Sequence, residues 1–273
     1  YEAIFTQARA EFRQRHGNLE MHTELSVSPE DDVELRRVTL TNHSSAARTI
    51  ELTSYAEVVL ATQAADEVHP TFSNLFVQTE FVPDSSAILC TRRARTAEEK
   101  PPWLLHLLVG QGGTHGETSC ETDRARFVGR DGNLANPAAM QKVASLSNTA
   151  GSVLDPIISL RRTVTLQPDE IAILDFVIGA AENRETANAL VEKYQHFRMA
   201  DRAFDLSRQL RPAGQPVDRR AAQDGHQFRR RRTRASASSA WVTRRCARPA
   251  STASSGTPGS STSGSRTTSA STS

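Results

Sequence analysis

The sequence predicts an all-β fold, a large antiparallel β-sandwich followed by a short helical exit and a disordered tail. Three observations predict it. Short runs of alternating apolar residues recur along the first two thirds of the chain, bounded by Pro, Gly, Asp or Asn. Few helical periodicities separate these runs, so the strands have mainly one another to pair with. After Arg211 the large apolar residues all but vanish, with no Leu or Ile remaining.

Each element follows from its pattern. Leu19, Met21, Leu25 and Val27 read as a short strand pair. Val33, Leu35, Val38 and Leu40 alternate with polar neighbours, with a slip of phase at Arg36-Arg37 that suits a bulge. Beyond the polar turn 42–47, Ile50, Leu52, Ser54, Ala56, Val58 and Leu60 face one way. The two runs together read as a long antiparallel hairpin with one face buried. Further strands are expected at 75–81, 86–92, 103–109, 159–166 and 171–178, the last two joined as a hairpin by Gln167-Pro168-Asp169-Glu170. The 171–178 run is apolar on both faces except at Asp175, as a central strand between two layers would be. Asn183 caps a helix with Glu185 in its first turn and Ala187, Leu190, Val191, Tyr194 and Phe197 on one stripe, and a second helical stretch covers 201–210. The expected organisation is a β-sandwich domain at 1–180, the start of a helical linker at 181–210, and an Arg/Ser-rich tail at 211–273, disordered and in the wrong frame.

Composition narrows the function classes. The 273 residues are enough to bury a sizeable core, and their net charge of +2 conceals two halves. From Arg211 onward there are twelve arginines against Asp218 and Asp224, whereas residues 1–210 hold 21 basic and 29 acidic side chains. Cys90, Cys120 and Cys246 form neither a metal clip nor a disulfide framework, which points to a reducing, cytoplasmic setting. No run approaches the ~18 apolar residues of a membrane span, and no signal pattern precedes the strands, so no membrane segment is expected. The first residue is Tyr1 rather than Met, as in a fragment or a processed product.

Residues with chemistry are present, but few share a pattern. Pro29-Glu30-Asp31-Asp32 reads as a solvated turn ahead of a strand, since no spaced calcium loop accompanies it. The eight histidines are scattered without a metal-binding spacing, and neither metal nor cofactor is expected. Gly110-Gln111-Gly112-Gly113 lacks the lysine and the helix of a phosphate loop and reads as a hairpin loop. There is no nucleophile elbow, and no catalytic residue is assigned. The 229–232 arginine run would attract nucleic acid electrostatically, but nothing aims Phe228 or Trp241 at bases, so no specific nucleic-acid partner is expected. Sugar rings lie on aromatic faces with polar rims, which makes Trp103, Phe72 and His69 the candidate carbohydrate contacts; core packing is the competing reading for Trp103.

Six stretches carry a resemblance: "HTELSVSPEDDVELRRVTLTNHSSAARTIELTSYAEVVL", "HPTFSNLFVQTEF", "ILCTRRAR", "PPWLLHLL", "FVGRDGNLANPAAM" and "LDPIISLRRTVTLQP". In order and without a large gap, they resemble the N-terminal β-supersandwich domain of glycoside hydrolase family 94, formerly glycosyltransferase family 36, in its cyclic β-1,2-glucan synthase branch. The resemblance covers about Tyr1 to Leu206. It implies a non-catalytic module ahead of a helical linker and an (α/α)6 barrel, where an aspartate acts as acid and phosphate as nucleophile. It also implies a β-glucan oligosaccharide as ligand, with a dimerisation module lacking a ligand site of its own as the alternative. The resembled synthases are large inner-membrane proteins with this region cytoplasmic. The composition after Leu210 departs from the family and matches off-frame translation of GC-rich coding DNA, so the barrel is expected to be missing and the fragment inactive.

Overall fold

The computed structural model describes residues 1–6, 8–141, 144–209 and the backbone of 239–243. Five strands open the chain: β1 (Glu2–Phe5), β2 (Arg9–His16), β3 (Leu19–Val27), β4 (Val33–Asn42) and β5 (Arg48–Glu57). Two short helices, α1 (Gln63–Val68) and α2 (Pro70–Asn74), precede β6 (Val77–Val82), β7 (Ala87–Arg92), β8 (Trp103–Gln111), β9 (Thr114–His115) and β10 (Ser119–Asp123). Then come α3 (Arg124–Val128), α4 (Ala138–Gln141), β11 (Gly151–Ser152), β12 (Pro156–Leu166), β13 (Ile171–Ala181), α5 (Arg184–Gln195), α6 (Phe197–Gln209) and β14 (Ser239–Thr243).

The strands form two sheets. The larger runs β1-β2-β3-β4-β13-β8-β7-β6-β11, and the smaller runs β10-β12-β5-β14 with β9 beside β12. Leu40, Leu52, Ile88, Leu108, Leu160 and Leu174 are among the buried side chains between them. The other face of the large sheet is buried as well: Leu35, Leu89, Leu105, Leu107 and Val177 pack under Leu190, Tyr194 and Phe204 of α5 and α6. The all-β sandwich with its helical exit is therefore what the chain forms. Among the described residues no helix is long and apolar enough to cross a membrane. The expectation of disorder over 211–273 lies outside the described residues, apart from the strand β14.

Two expected hairpins are instead arches between the sheets. β4 lies between β3 and β13, whereas β5 lies between β12 and β14, so the consecutive strands never pair. The buried Asn42 side chain accounts for the crossing. Its Nδ2 donates to the carbonyls of Ala46 (2.9 Å), Leu166 (3.1 Å) and Gln167 (3.0 Å), and its Oδ1 accepts from Ser44. The β12–β13 connection crosses beside it, with Asp169 N donating to Asn42 O (2.7 Å) and Asn42 N to Glu170 O (3.1 Å). One asparagine thus supplies the polar partners that two adjacent sheet-to-sheet crossings need.

The phase slip in β4 is not a bulge either, because its register with β3 and β13 is unbroken. Val33 and Leu35 point under the helices, while Val38 and Leu40 point at the small sheet. The apolar residues change faces because both faces are covered, one near each end. No sustained apolar alternation announces β1 and β2, which extend the large sheet at one edge.

Asp175 and the acid turn fasten the helices. Asp175, 3% exposed on the central strand β13, accepts two 2.8 Å bonds from Arg37 on β4, whose Nη1 also donates to Asp201 of α6 at 2.6 Å. Burial raises the Asp175 carboxyl above its usual range against the pull of Arg37. Asp31 accepts from Lys193 and Tyr194, both at 2.7 Å, and Glu30 accepts from Arg202 at 2.6 and 3.1 Å. Burial raises the Asp31 carboxyl, but the bonds from Lys193 and Tyr194 outweigh it and bring it below its ordinary value. Asn183 Oδ1 caps α5 by accepting from Thr186 N (2.8 Å), as expected, but Phe197 leaves the buried stripe to begin α6 and is 41% exposed. Asp175→Asn should cost about 3–5 kcal/mol in urea denaturation, since it leaves a buried guanidinium short of its main partner. Arg37→Met with Asp175→Leu should recover most of that loss.

Candidate functional site

The three residues expected to contact sugar lie in two places. Trp103 opens β8, opposite Ala181 of β13 and Thr91 of β7. It packs partly buried against the outer core, and the Arg184 guanidinium stands 5.6 Å from its ring centroid. Its indole is therefore a wall under α5 with one cation on its face, not an open platform. Phe72 and His69 belong to the α1–α2 excursion between β5 and β6. His69 joins the two helices, its N–H donating to Ala65 O (3.0 Å) and its carbonyl accepting from Ser73 N (3.1 Å). Phe72 is 53% exposed and leans edge-on against Phe76 at 5.0 Å. Among the described residues no ring contact joins Phe72 to Trp103.

The excursion reaches a polar cluster that sequence reasoning missed. Asn74 Nδ2, at the end of α2, donates to Asp155 Oδ1 (3.1 Å), just ahead of β12. Arg124, at the start of α3, approaches Asp155 at 3.6 Å and donates to Glu57 Oε1 at 3.2 Å, and that same oxygen accepts from Tyr55 OH at 3.1 Å. β5, β10 and β12 bring these residues to one end of the small sheet, with Asp123 opposite Pro156. Burial, with nearby Glu57 and Asp123, raises the Asp155 carboxyl despite Arg124. Burial and Glu57 push the Tyr55 hydroxyl up to about 12. Asp155, Glu57 and Arg124 all keep solvent-exposed edges. Partly exposed donors and acceptors of both signs thus lie together at this end of the small sheet, joined to α2 through Asn74.

Two further constellations serve the fold rather than chemistry. His106 Nδ1 lies 2.9 Å from Val177 O, and its Nε2 lies 2.8 Å from Ser54 Oγ. The pair resembles a nucleophile and its base, yet it sits between the sheets beside a cavity of about 10 Å³, about the least space one water needs. No substrate reaches it, and its role is to join the sheets. Glu11, His22 and Glu24 bring their ligand atoms within 4.8 Å of one another. Arg9 already bridges both carboxylates, so the cationic position of a metal is filled by a guanidinium.

Burial lowers the His106 imidazole to about 4. An unfolded histidine titrates near 6.5, so between those values the unfolded chain binds more proton and stability rises with pH. Chemical denaturation from about pH 6.5 down to about pH 4 should show a loss of up to ~3 kcal/mol from this group. His106→Gln should flatten that part of the profile.

Two stacked antiparallel sheets, the larger covered on its outer face by a helix pair, define a large β-sandwich. The chain belongs to the glycosyl hydrolase 94 supersandwich family, whose model matches residues 1–197. It is 40% identical over 192 residues to the cyclic beta-(1,2)-glucan synthase NdvB of Rhizobium meliloti (strain 1021), covering 70% of this chain and 7% of that protein. It is 28% identical over 179 residues to the solabiose phosphorylase of Paenibacillus borealis, covering 65% of this chain and 22% of that protein. The chain thus spans less than a quarter of either of these relatives. A polysaccharide lyase structure aligns with 66% of this chain and 23% of its own at a TM-score of 0.37 and 13% identity, too little to bear on the fold.

Proposed function

We infer that this chain is the non-catalytic, sugar-contacting sandwich of a β-glucan-forming or β-glucan-phosphorolysing enzyme whose catalytic acid lies in a separate barrel. The observation that carries the sugar contact is the exposed Phe72 on α2, tied through Asn74 to the open Asp155–Arg124–Glu57 cluster. Trp103 supports this reading less, because its ring is occupied by the outer core and Arg184. On one exposed ring and an open polar cluster, the binding expected is weak. Titrating the full chain with linear β-1,2-glucan oligosaccharides by NMR should give millimolar binding that Phe72→Ala weakens about tenfold and Trp103→Ala leaves in place. An absence of chemical-shift change at 69–74 and 124 would remove the sugar-contact role.

A second reading, a homodimerisation module, is favoured by a separate feature. Tyr1 (85% exposed) and Phe5 (46% exposed) flank Phe12 in an aromatic row where β1 and β2 end the large sheet, with ring centroids 6.4 and 5.6 Å from that of Phe12. Sedimentation should show self-association that Phe5→Glu abolishes; a monomer at all concentrations rules the row out as an interface.

A further inference from the structure

Residues 61–75, which carry α1 and α2, leave the sandwich between two fixed backbone points. Val58 N donates to Pro156 O at 3.2 Å before the segment, and Phe76 O accepts from Arg93 N at 2.8 Å after it. Between those points little holds the chain. α1 buries no residue, and Ser73 is the one buried side chain among the described residues of the segment. Neither Thr62 nor His69 caps its helix through a side-chain hydrogen bond. Helices of six and five residues fall well short of the ~12–15 at which an isolated helix becomes even marginal, so this pair depends on its attachment. Its large apolar side chains do not provide one, because Val68, Phe72 and Leu75 are all exposed.

The hydrogen bonds of the segment are nearly all internal. Ala65 N and Asp66 N donate to Thr62 O, His69 N to Ala65 O, Ser73 N to His69 O, and Gln63 Nε2 to Glu67 Oε1. Among the described residues one hydrogen bond leaves it, from Asn74 Nδ2 to Asp155 Oδ1 at 3.1 Å. The receiving end is fixed. Asp155 stands one residue before β12, its carbonyl accepts from Arg124 N at 3.0 Å, and the Arg124 guanidinium, itself bonded to Glu57, lies 3.6 Å from its Oδ2. A carboxylate set by the small sheet thus holds an amide on a chain with few other attachments.

We propose that 61–75 is a hinged flap latched by the Asn74–Asp155 hydrogen bond, which makes Asp155 the positioning residue for Phe72. Phe72 lies two residues before Asn74 on α2, so whatever fixes the amide fixes the turn that carries the ring. Latched, Phe72 and the Asp155–Arg124–Glu57 cluster keep one relative position; unlatched, the ring moves with the flap. A segment with one buried side chain sits at the low end of local stability, where a single hydrogen bond to a carboxylate shifts the opening equilibrium about tenfold. The latch follows from geometry alone, whereas its bearing on carbohydrate rests on the sugar contact inferred for Phe72.

The test is amide hydrogen exchange by NMR on the full chain, read at Asp66, His69 and Ser73 in the flap and at Leu160 on β12, whose N donates to Ser54 Oγ. Asn74→Ala and Asp155→Ala should each speed exchange in the flap about tenfold and leave Leu160 unchanged. Asp155→Asn keeps an acceptor oxygen without the charge and should restore most of the protection. In a titration with linear β-1,2-glucan oligosaccharides, both alanine variants should bind more weakly than Asp155→Asn. Flap exchange unchanged in both alanine variants, or Asp155→Asn no better than Asp155→Ala, overturns the latch. Glucan binding at full strength in both alanine variants overturns Asp155 as the positioning residue. The expected exchange contrast in a chain that shows no glucan-induced shifts sustains the latch and removes only the sugar contact.

Discussion

An acid in the middle of a nine-stranded sheet must be answered from the next strand and then covered, and the rest of this structure is arranged around that requirement. Arg37 on β4 answers Asp175 on β13, which pins the two central strands in register. The guanidinium then needs a roof. Asp201 supplies a second carboxylate and Phe204 a ring face 5.0 Å away, both from α6. Glu30 and Asp31, on the turn into β4, take hold of α6 and α5 through Arg202, Lys193 and Tyr194. The helical exit is therefore part of the sandwich in packing terms, and the direction in which the chain leaves the domain is set by charges in its sheet.

Much of this fold was legible because apolar alternation survives in a single sequence, but partnership does not. The 50–60 run shows its burial in its period and the 171–178 run in its continuous apolar content, and both form strands, the first ending at Glu57. Where the two large sheet connections lead was hidden, since a polar Asn-His-Ser or Pro-Asp turn looks the same whether the chain folds back or crosses over. The decisive atom is the amide of Asn42, whose partners at Leu166 and Gln167 lie more than a hundred residues away. The slip at Arg36-Arg37 misled for a related reason: a strand covered on both faces has no single inside. β1 and β2 escaped because Ala3, Ile4, Phe5, Ala10 and Phe12 form no sustained alternation.

The surface was harder still. Trp103 and Phe72 are both aromatics beside prolines, and sequence cannot say that α5 will cover one and leave the other open. Nothing in the sequence around Asp155 marks it; its meeting with Asn74, Arg124 and Glu57 depends on three separate strands ending together. The Ser54–His106 pair shows the opposite risk, in which reactive residue types at bonding distance are sealed by the very sheets that brought them together.

The paired crossings at Asn42 and Glu170 also bear on how the chain reaches this state. In a protein built of hairpins, each turn can zip its own two strands before the next is made. Here β4 waits for β13 and β5 for β12, partners more than a hundred residues apart, so neither sheet can be completed from neighbours. Closing loops of that length comes before any of the contacts that reward it, which is the topology of a slow folder. Until both crossings are seated, long unpaired edges stay open to other chains, and the domain's main hazard lies in its assembly rather than in its finished form.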